Sequence, residues 1–256
     1  MPPQLELEPR EELRNVPVFA ELSRDQLVEL SATSAQRRVQ AGATLVEQGA
    51  IASHLEVLIR GAVKVVRTTK HSLGESTVLI EVARAPAILG GASLFDGQPE
   101  AASVVALRAA QVLTVDRRTV LRMVAQHPQF SRAIFAHLSQ SVRRHVRRID
   151  EVASGPVDER VRHLLDGLAH EHGTPFGGGR FIAIPLRRRD IACMVNATTE
   201  TVSRVLARFE REGLTRSTRD GIWLRVQSLQ SSPRVPASGE GDPSSDAPAV
   251  SSRGAR

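Results

Sequence analysis

The sequence predicts an α+β chain with a β-sandwich or barrel first, one long helix next, and a winged helix-turn-helix last. Three observations predict it. Short β-branched runs separated by Gly fill the stretch from Val18 to about Leu121. Apolar residues then recur at 3 and 4 residue spacing after His127-Pro128. Finally, Leu186 to Leu224 reads as helix, tight turn, polar-faced helix and strand.

Residues 1–15 are acidic and are expected to form an arm, as a short helix or a loose segment. The β-rich part, 16–127, contains Thr44–Val46, Leu55–Ile59, Val63–Val66, Thr77–Ile80, Val104–Leu107 and Val112–Val115. Gly42, Gly49, Gly61, Gly74, Gly90, Gly91 and Gly97 punctuate them. Six to eight short strands at this spacing fit a sandwich or barrel.

Residues 128–154 are expected to form one helix. Phe135, Leu138, Val142, His145, Ile149 and Val152 make a narrow heptad-like seam flanked by Arg143, Arg144, Arg147 and Arg148. Such a seam favours pairing with a second copy. His145 is read as a core-edge histidine on that seam. Gly155-Pro156 breaks the helix and opens the last domain, 155–227, whose first helix spans Val157 to His172 with Val161, Leu164, Leu165 and Leu168 inward. A Gly177-Gly178-Gly179 turn leads to a strand over Phe181–Pro185. The triple glycine lacks the Lys-Ser/Thr ending of a phosphate loop. Residues 228–256 are rich in Ser, Pro, Ala and Gly and are expected to be a disordered tail.

The helix-turn-helix bears most on function. Ile191, Ala192 and Val195 share one face of its first helix, Arg188–Val195. Asn196 suits the left-handed conformation of the turn, and Thr198 is a good N-cap. Val202, Val205, Leu206 and Phe209 form the inward stripe of the second helix. Thr199, Glu200, Ser203, Arg204 and Arg208 lie opposite, as a polar face fit for base edges in a major groove. Gly213 ends this helix, and Ile222–Val226 reads as the second strand of a wing.

Charge is distributed to match. Residues 1–125 hold 14 basic and 14 acidic side chains. Residues 187–225 hold 9 and 5, and 128–152 hold 5 and 2, so the net +6 collects around the helix-turn-helix and the helix before it. Double-stranded DNA is the polyanion this implies. No apolar run reaches 18 residues and no secretory leader opens the chain, so neither a membrane span nor export is expected, and the cytoplasm is the expected location. The single cysteine, Cys193, excludes an internal disulfide and a four-cysteine iron–sulfur cluster within one chain. It is expected to pack inward as a small apolar side chain. No metal-ligand spacing, nucleophile elbow or paired-carboxylate pattern is present, so an enzyme is not expected.

The order of these parts resembles the Crp–Fnr family of transcription regulators, from Val16 to Val226. Gly42-x-x-Leu45-x-x-x-Gly49, Leu58-x-x-Gly61-x-Val63-x-Val65 and Leu89-Gly90-Gly91-Ala92-Ser93-Leu94-Phe95-Asp96 carry the resemblance in the β-part. Asp190-Ile191-Ala192, Glu200-Thr201-Val202-Ser203-Arg204 and Glu212-Gly213-Leu214 carry it in the DNA part. The resemblance implies a cyclic-nucleotide-binding-like β-roll of jelly-roll type as sensor, a dimerisation helix, a homodimer, and RNA polymerase as protein partner. It also implies base readout by Thr199, Glu200, Ser203 and Arg204. Arg188 is the implied phosphate contact, with Arg187, Arg189, Arg216 and Arg219 adding to the field. The Glu200-x-x-Ser203-Arg204 set, with Thr199 where the cyclic-AMP receptor has arginine, implies TTGAT-like half-sites.

The departures concern the effector, whose pocket would include Gly90, Gly91, Glu100, Ala101 and His145. Cyclic-AMP binders place a glutamate on the ribose where this chain has Gly91. They place an Arg-Ser pair on the cyclic phosphate where it has Glu100-Ala101. Cyclic AMP is therefore not an expected effector. For a haem-dependent member, His54 and His71 are the candidate ligands. The expected function is an effector-controlled regulator. The alternatives are one that binds DNA without an effector, and a cyclic-nucleotide-binding module acting on another protein.

Overall fold

The computed structural model describes residues 11–72, 74–153 and 155–225. Residues 1–10 and the expected tail, 228–256, lie outside them, as do the side chains of His71 and Val152.

Two short helices come first, α1 (Glu11–Arg14) and α2 (Arg24–Ala32). Ser23 caps α2 in a reciprocal box: its hydroxyl accepts from Gln26 N, and Gln26 Oε1 accepts from Ser23 N. Leu13 and Val16 are fully buried, because α1 lies against the helices that back the roll.

Eight strands follow: β1 (Ser34–Val39), β2 (Thr44–Val46), β3 (His54–Arg60), β4 (Ala62–His71), β5 (Gly74–Arg84), β6 (Ala87–Leu89), β7 (Ser103–Ala106) and β8 (Ala110–Asp116), with helix α3 (Ala92–Asp96) between β6 and β7. They form two antiparallel sheets, ordered β1-β8-β3-β6 and β2-β7-β4-β5. Strand β8 divides its residues by parity. Ala110 and Val112 join the core between the sheets, with Leu45, Val63 and Val104. Leu113 and Val115 join the second core, under the helices, with Leu27 and Phe130. Gly61 turns β3 into β4 with φ +111°, and a Cβ there would lie 2.7 Å from Ala110 Cβ, so only glycine fits.

Sequence patterning missed β1 and β6. β1, Ser-Ala-Gln-Arg-Arg-Val, has no strand signature. Its six-residue register with β8 makes it a strand. Helix α4 (Arg117–Gln126), capped by the Asp116 side chain, closes the region expected to be β-rich.

Helix α5 (Pro128–Ala153) runs 26 residues. Phe130 and Ile134 anchor it to the roll, with Phe130 stacked on Phe19 at 5.9 Å between ring centres. The last domain comprises α6 (Val157–His172), β9 (Gly173–Phe176), β10 (Gly179–Ile182), α7 (Arg188–Met194), α8 (Thr199–Arg211), β11 (Thr215–Ser217) and β12 (Ile222–Arg225). Its sheet order is β11-β12-β10-β9. The expected strand Phe181–Pro185 is shorter at its end, stopping at Ile182 before Pro185. Leu79 and Val82 of β5 belong to this domain's core, so the roll and the DNA-binding part share packing. Among the described residues no helix is long and apolar enough to cross a membrane.

Candidate nucleic-acid interface and β-roll cavity

Helix α7 begins at a carboxylate with two duties. Asp190 Oδ2 accepts from the backbone N of Arg187 at 3.0 Å, and Oδ1 accepts from Lys64 Nζ of β4 at 2.7 Å. Ile191, Ala192, Met194 and Val195 pack inward. Cys193 is exposed, which corrects its expected inward position: residues 191, 192 and 195 set the buried face, and Met194, one helical step on, takes the remaining inward place. Asn196 turns the chain with φ +48°, the single non-glycine residue at positive φ among those described. Thr198 Oγ1 then accepts from Thr201 N at 3.1 Å and starts α8. Val202, Leu206 and Phe209 are buried beneath it, and Gly213 follows its end with φ +67°.

The outer face of α8 presents Thr199, Glu200 and Arg204 to solvent, with Ser203 half-buried between them. Arg204 lies 3.6 Å from Glu200 one turn earlier, and Ser203 Oγ donates to Thr199 O at 2.7 Å. Arg208 instead binds Asp158 of α6 at 2.8 Å and draws that carboxyl below its ordinary range. Arg187, Arg188 and Arg189 at the start of α7 are exposed, as are Arg216 and Arg219 of the wing. In the wing, Arg216 pairs with Trp223 across β11 and β12. Thr218 Oγ1 donates to Gly221 O at 2.9 Å and shapes the tip that carries Arg219. This polar face, ringed by unburied arginines, suits a groove and its flanking phosphates.

The long helix leaves an apolar stripe open. Phe135, Val142 and Ile149 are 64%, 62% and 67% exposed, with Leu138 and Val146 between them. Sequence patterning placed His145 on this stripe. In the structure His145 lies 3.4 Å from Glu81 of β5, which also takes Arg144 at 3.1 Å, and Val146 stands on the stripe in its stead. The 3.6-residue helix allows either position one turn after Val142.

The expected pocket residues separate. Gly91 and Glu100 line a cavity of about 230 Å³ in the roll. Gly90 adjoins it, since a Cβ there would lie 3.5 Å from Glu100 Oε2. Ala101 is exposed, and its carbonyl accepts from Arg67. His145 faces a different crevice, between β5, α5 and α6. Glu100 is 7% exposed, and its Oε1 accepts from Gly91 N at 2.9 Å, Ser93 N at 3.4 Å and Ser93 Oγ at 2.8 Å. Gly91 has φ +92°, and a Cβ there would crowd Leu55 Cδ1 at 3.1 Å, so a glutamate at this position is strained.

Residues that sequence reasoning did not reach complete the cavity. Glu47, Glu56 and Ser53 line it beside His54. Glu56 Oε1 takes Arg37 at 3.0 Å while Oε2 is buried without a hydrogen-bond partner. Burial pushes the Glu56 carboxyl up, against the lowering pull of Arg37. Residues 47, 53 and 56 carry no motif; the loop before β3 is tied to Glu100 by backbone hydrogen bonds, Gly49 N to Glu100 O and Glu100 N to Ala50 O, both at 2.8 Å. No three His, Cys, Asp or Glu side chains among the described residues gather to hold a metal ion.

Comparison with known proteins agrees with this architecture. Residues 36–127 match the cyclic nucleotide-binding domain and residues 159–231 the Crp-like helix-turn-helix domain. The chain is 27% identical over 186 residues to the CRP-like cAMP-activated global transcriptional regulator of Mycobacterium tuberculosis, covering 73% of this chain and 78% of that one. Among solved structures it is similar to the c-di-GMP responsive global regulator CLP of Xanthomonas campestris (TM-score 0.64, 17% identity, 80% of this chain and 100% of that one). It is similar also to FixK2 of Bradyrhizobium japonicum (TM-score 0.65, 20% identity, 75% and 93%). With a cyclic nucleotide-binding domain joined to a Crp-like helix-turn-helix through one long helix, the chain belongs to the Crp–Fnr family of DNA-binding transcription regulators.

Proposed function

We propose that this regulator acts in the cytoplasm as a homodimer, reads palindromic TTGAT-like half-sites, works with RNA polymerase, and answers to an effector other than cyclic AMP. The observation that carries the effector reading is Glu100. A buried carboxylate already fills the backbone donors of Gly91 and Ser93, where an anionic ligand would need them free. The Mycobacterium tuberculosis relative is described as cAMP-activated. A second negative charge beside Glu100 would be repelled, so that property is not carried over.

The dimer reading rests on the open stripe of α5, because large apolar residues at heptad spacing exposed on one helix mark an association face. Two copies of α8 would then lie about one helical turn of DNA, roughly 34–36 Å, apart. Selection from random DNA, with light scattering of the free protein, tests both parts. A palindrome bound by a dimer is expected, and a monomer or an asymmetric site overturns the reading. Glu100 also favours a second reading, DNA binding without any effector, since the chain carries its own anion at that turn. Operator affinity unchanged by host extract would select it.

A further inference from the structure

His172 ends α6 where the DNA-binding domain meets β5 of the roll, and its side chain is mostly buried there. The ring hydrogen-bonds to the backbone of Val82 in β5, while its Nε2 is buried with no hydrogen-bond partner among the described residues. That arrangement suits a neutral imidazole, which donates only once. A proton added at Nε2 would create a buried N–H group without an acceptor in reach. Glu171 Oε2 lies 3.8 Å away, too far for a hydrogen bond, and Glu171 Oε1 is 3.6 Å from Arg147 of α5. From β5, Glu81 and Arg84 also face the ring, with opposite signs. Glu81 is engaged by Arg144 at 3.1 Å and His145 at 3.4 Å, and His137 of α5 faces it too.

The contact around this ring helps to seat the DNA-binding domain. Leu79 and Val82 of β5 pack in one core with Leu164, Leu165 and Leu168 of α6, and Arg84 Nη1 donates to His172 O at 3.1 Å. The chain enters α6 from the long helix through Gly155, at φ +78°. A charge without an acceptor inside such a contact is costly, and parting α6 from β5 gives the imidazolium water instead. We propose that His172 is an acid-sensitive joint: taking up a proton loosens α6 from β5, frees the DNA-binding domain to move about Gly155, and weakens operator binding. The direction follows from proton linkage. Burial holds the imidazole of the closed joint below its ordinary value, so the open form takes up the proton more readily and acid favours it. A protonated His145 strengthens its pair with Glu81, which keeps β5 on α5 while α6 departs. Lys64 and Asp190 tie the same two parts at α7, so release begins at the end of α6. Two copies of α8 on loosened domains no longer hold one fixed spacing, and binding must then order them.

The effect on operators rests on the dimer reading above, and the test keeps the two apart. Cys193, the one cysteine of the chain, is exposed on α7 and takes a maleimide dye. In the full chain without DNA, the anisotropy of that dye is expected to fall between about pH 7.5 and 5.5 as the labelled domain gains motion, with circular dichroism unchanged. Affinity of the unlabelled chain for its selected operator should fall about threefold or more over the same range, the loss that follows when a third or fewer of the chains stay closed. Protonation of histidines in general adds positive charge and would strengthen binding to DNA, so weakening by acid is particular to the joint. His172→Gln retains a side chain that can donate to Val82 but does not titrate, and it should abolish both changes. His137→Gln should keep them. Constant anisotropy, operator affinity that holds or rises with acid, or changes that persist in His172→Gln overturn the proposal. Acid-dependent anisotropy, lost in His172→Gln, in a chain that light scattering finds monomeric upholds the joint, and the dimer reading then fails on its own.

Discussion

Lys64 and Asp190 join the two halves of this protein: Nζ donates to Oδ1 at 2.7 Å, from β4 of the roll to the first helix of the helix-turn-helix. Asp190 is 4% exposed, and its other oxygen caps the start of α7 at Arg187 N. One carboxylate therefore fixes both where α7 begins and what it rests on. Arg108 reaches the carbonyl of Ala183 at 2.9 Å and Arg84 that of His172 at 3.1 Å, and both reinforce the same junction.

Lys64→Met removes the charged partner of a buried acid and leaves Asp190 with its backbone donor alone. The expected cost is about 1.5–3 kcal/mol, the range for a hydrogen bond to a charged group. Urea unfolding should show a lower midpoint with the slope retained. An unchanged midpoint would mean that the pair contributes nothing to stability.

Arg204 lies against Glu200 on the exposed face of α8, at 3.6 Å. Solvent weakens that pairing, so either side chain is free to turn to a base. Arg204→Ala is expected to lower operator affinity by about 1–3 kcal/mol and to relax base preference at one position in each half-site. Competition among operators mutated at single positions reads this directly. A uniform loss at every position would make Arg204 a backbone contact instead.

The sequence made some of these elements legible and hid others for physical reasons. Helix α8 was plain because an N-cap, a 3-4 stripe and a trailing glycine all lie within sixteen residues, Thr198 to Gly213. The open stripe on α5 was visible for the same reason, but patterning could not divide His145 from Val146, because adjacent positions both border a heptad seam. Glu81, 64 residues earlier, makes that division. Strand β1 was invisible because its polar residues become a strand only by pairing with β8. Glu100 stood out as a departure at a recognisable position, whereas Lys64 and Glu56 carried no local signal. Their partners Asp190 and Arg37 lie 126 and 19 residues away, and a single sequence does not record such contacts.

Arg188 opens α7 and is exposed beside Arg187 and Arg189. A phosphate contact there neutralises charge without reading sequence. Arg188→Ala should weaken all DNA about equally and flatten the slope of log affinity against log salt by about 0.9. A change in which operator is preferred would contradict that role.

His172 lies where α6 meets β5, and burial pushes its imidazole below the ordinary 6.5, with Glu171 pulling the other way. The unfolded chain therefore binds this proton more readily than the folded one. Stability is present above the unfolded value and falls as the pH drops below it. Burial lowers His137 of α5 as well, in the same direction. Chemical denaturation between about pH 5 and 7 should show a midpoint that rises with pH. His172→Gln should make that rise shallower. A midpoint that falls over this range, or a slope unaltered in the variant, would contradict the sign.

Cyclic AMP is expected neither to shift the melting temperature nor to change operator affinity at millimolar concentration. Three features of the Gly90–Ala101 segment point the same way. The Oε1 of Glu100 already takes the donors of Gly91 and Ser93. Gly91 sits in a left-handed conformation with Leu55 against it, so a ribose-binding carboxylate at that position is strained. Ala101 is exposed and has no hydroxyl to donate. A phosphodiester would add a second anion next to a buried one, and leaving a buried charge without its partner costs on the order of 2–5 kcal/mol. That is a loss of about 30-fold to several thousand-fold in affinity. Between Gly90 and Leu107 there is no arginine to reverse it, whatever the alignment. Glu100→Arg supplies the missing charge, and it should restore measurable cyclic-AMP binding only if Gly91 and Ala101 are tolerated. Calorimetry on the unaltered chain decides the main point: tight binding with one nucleotide per chain would overturn the assignment of Glu100 to the phosphate position.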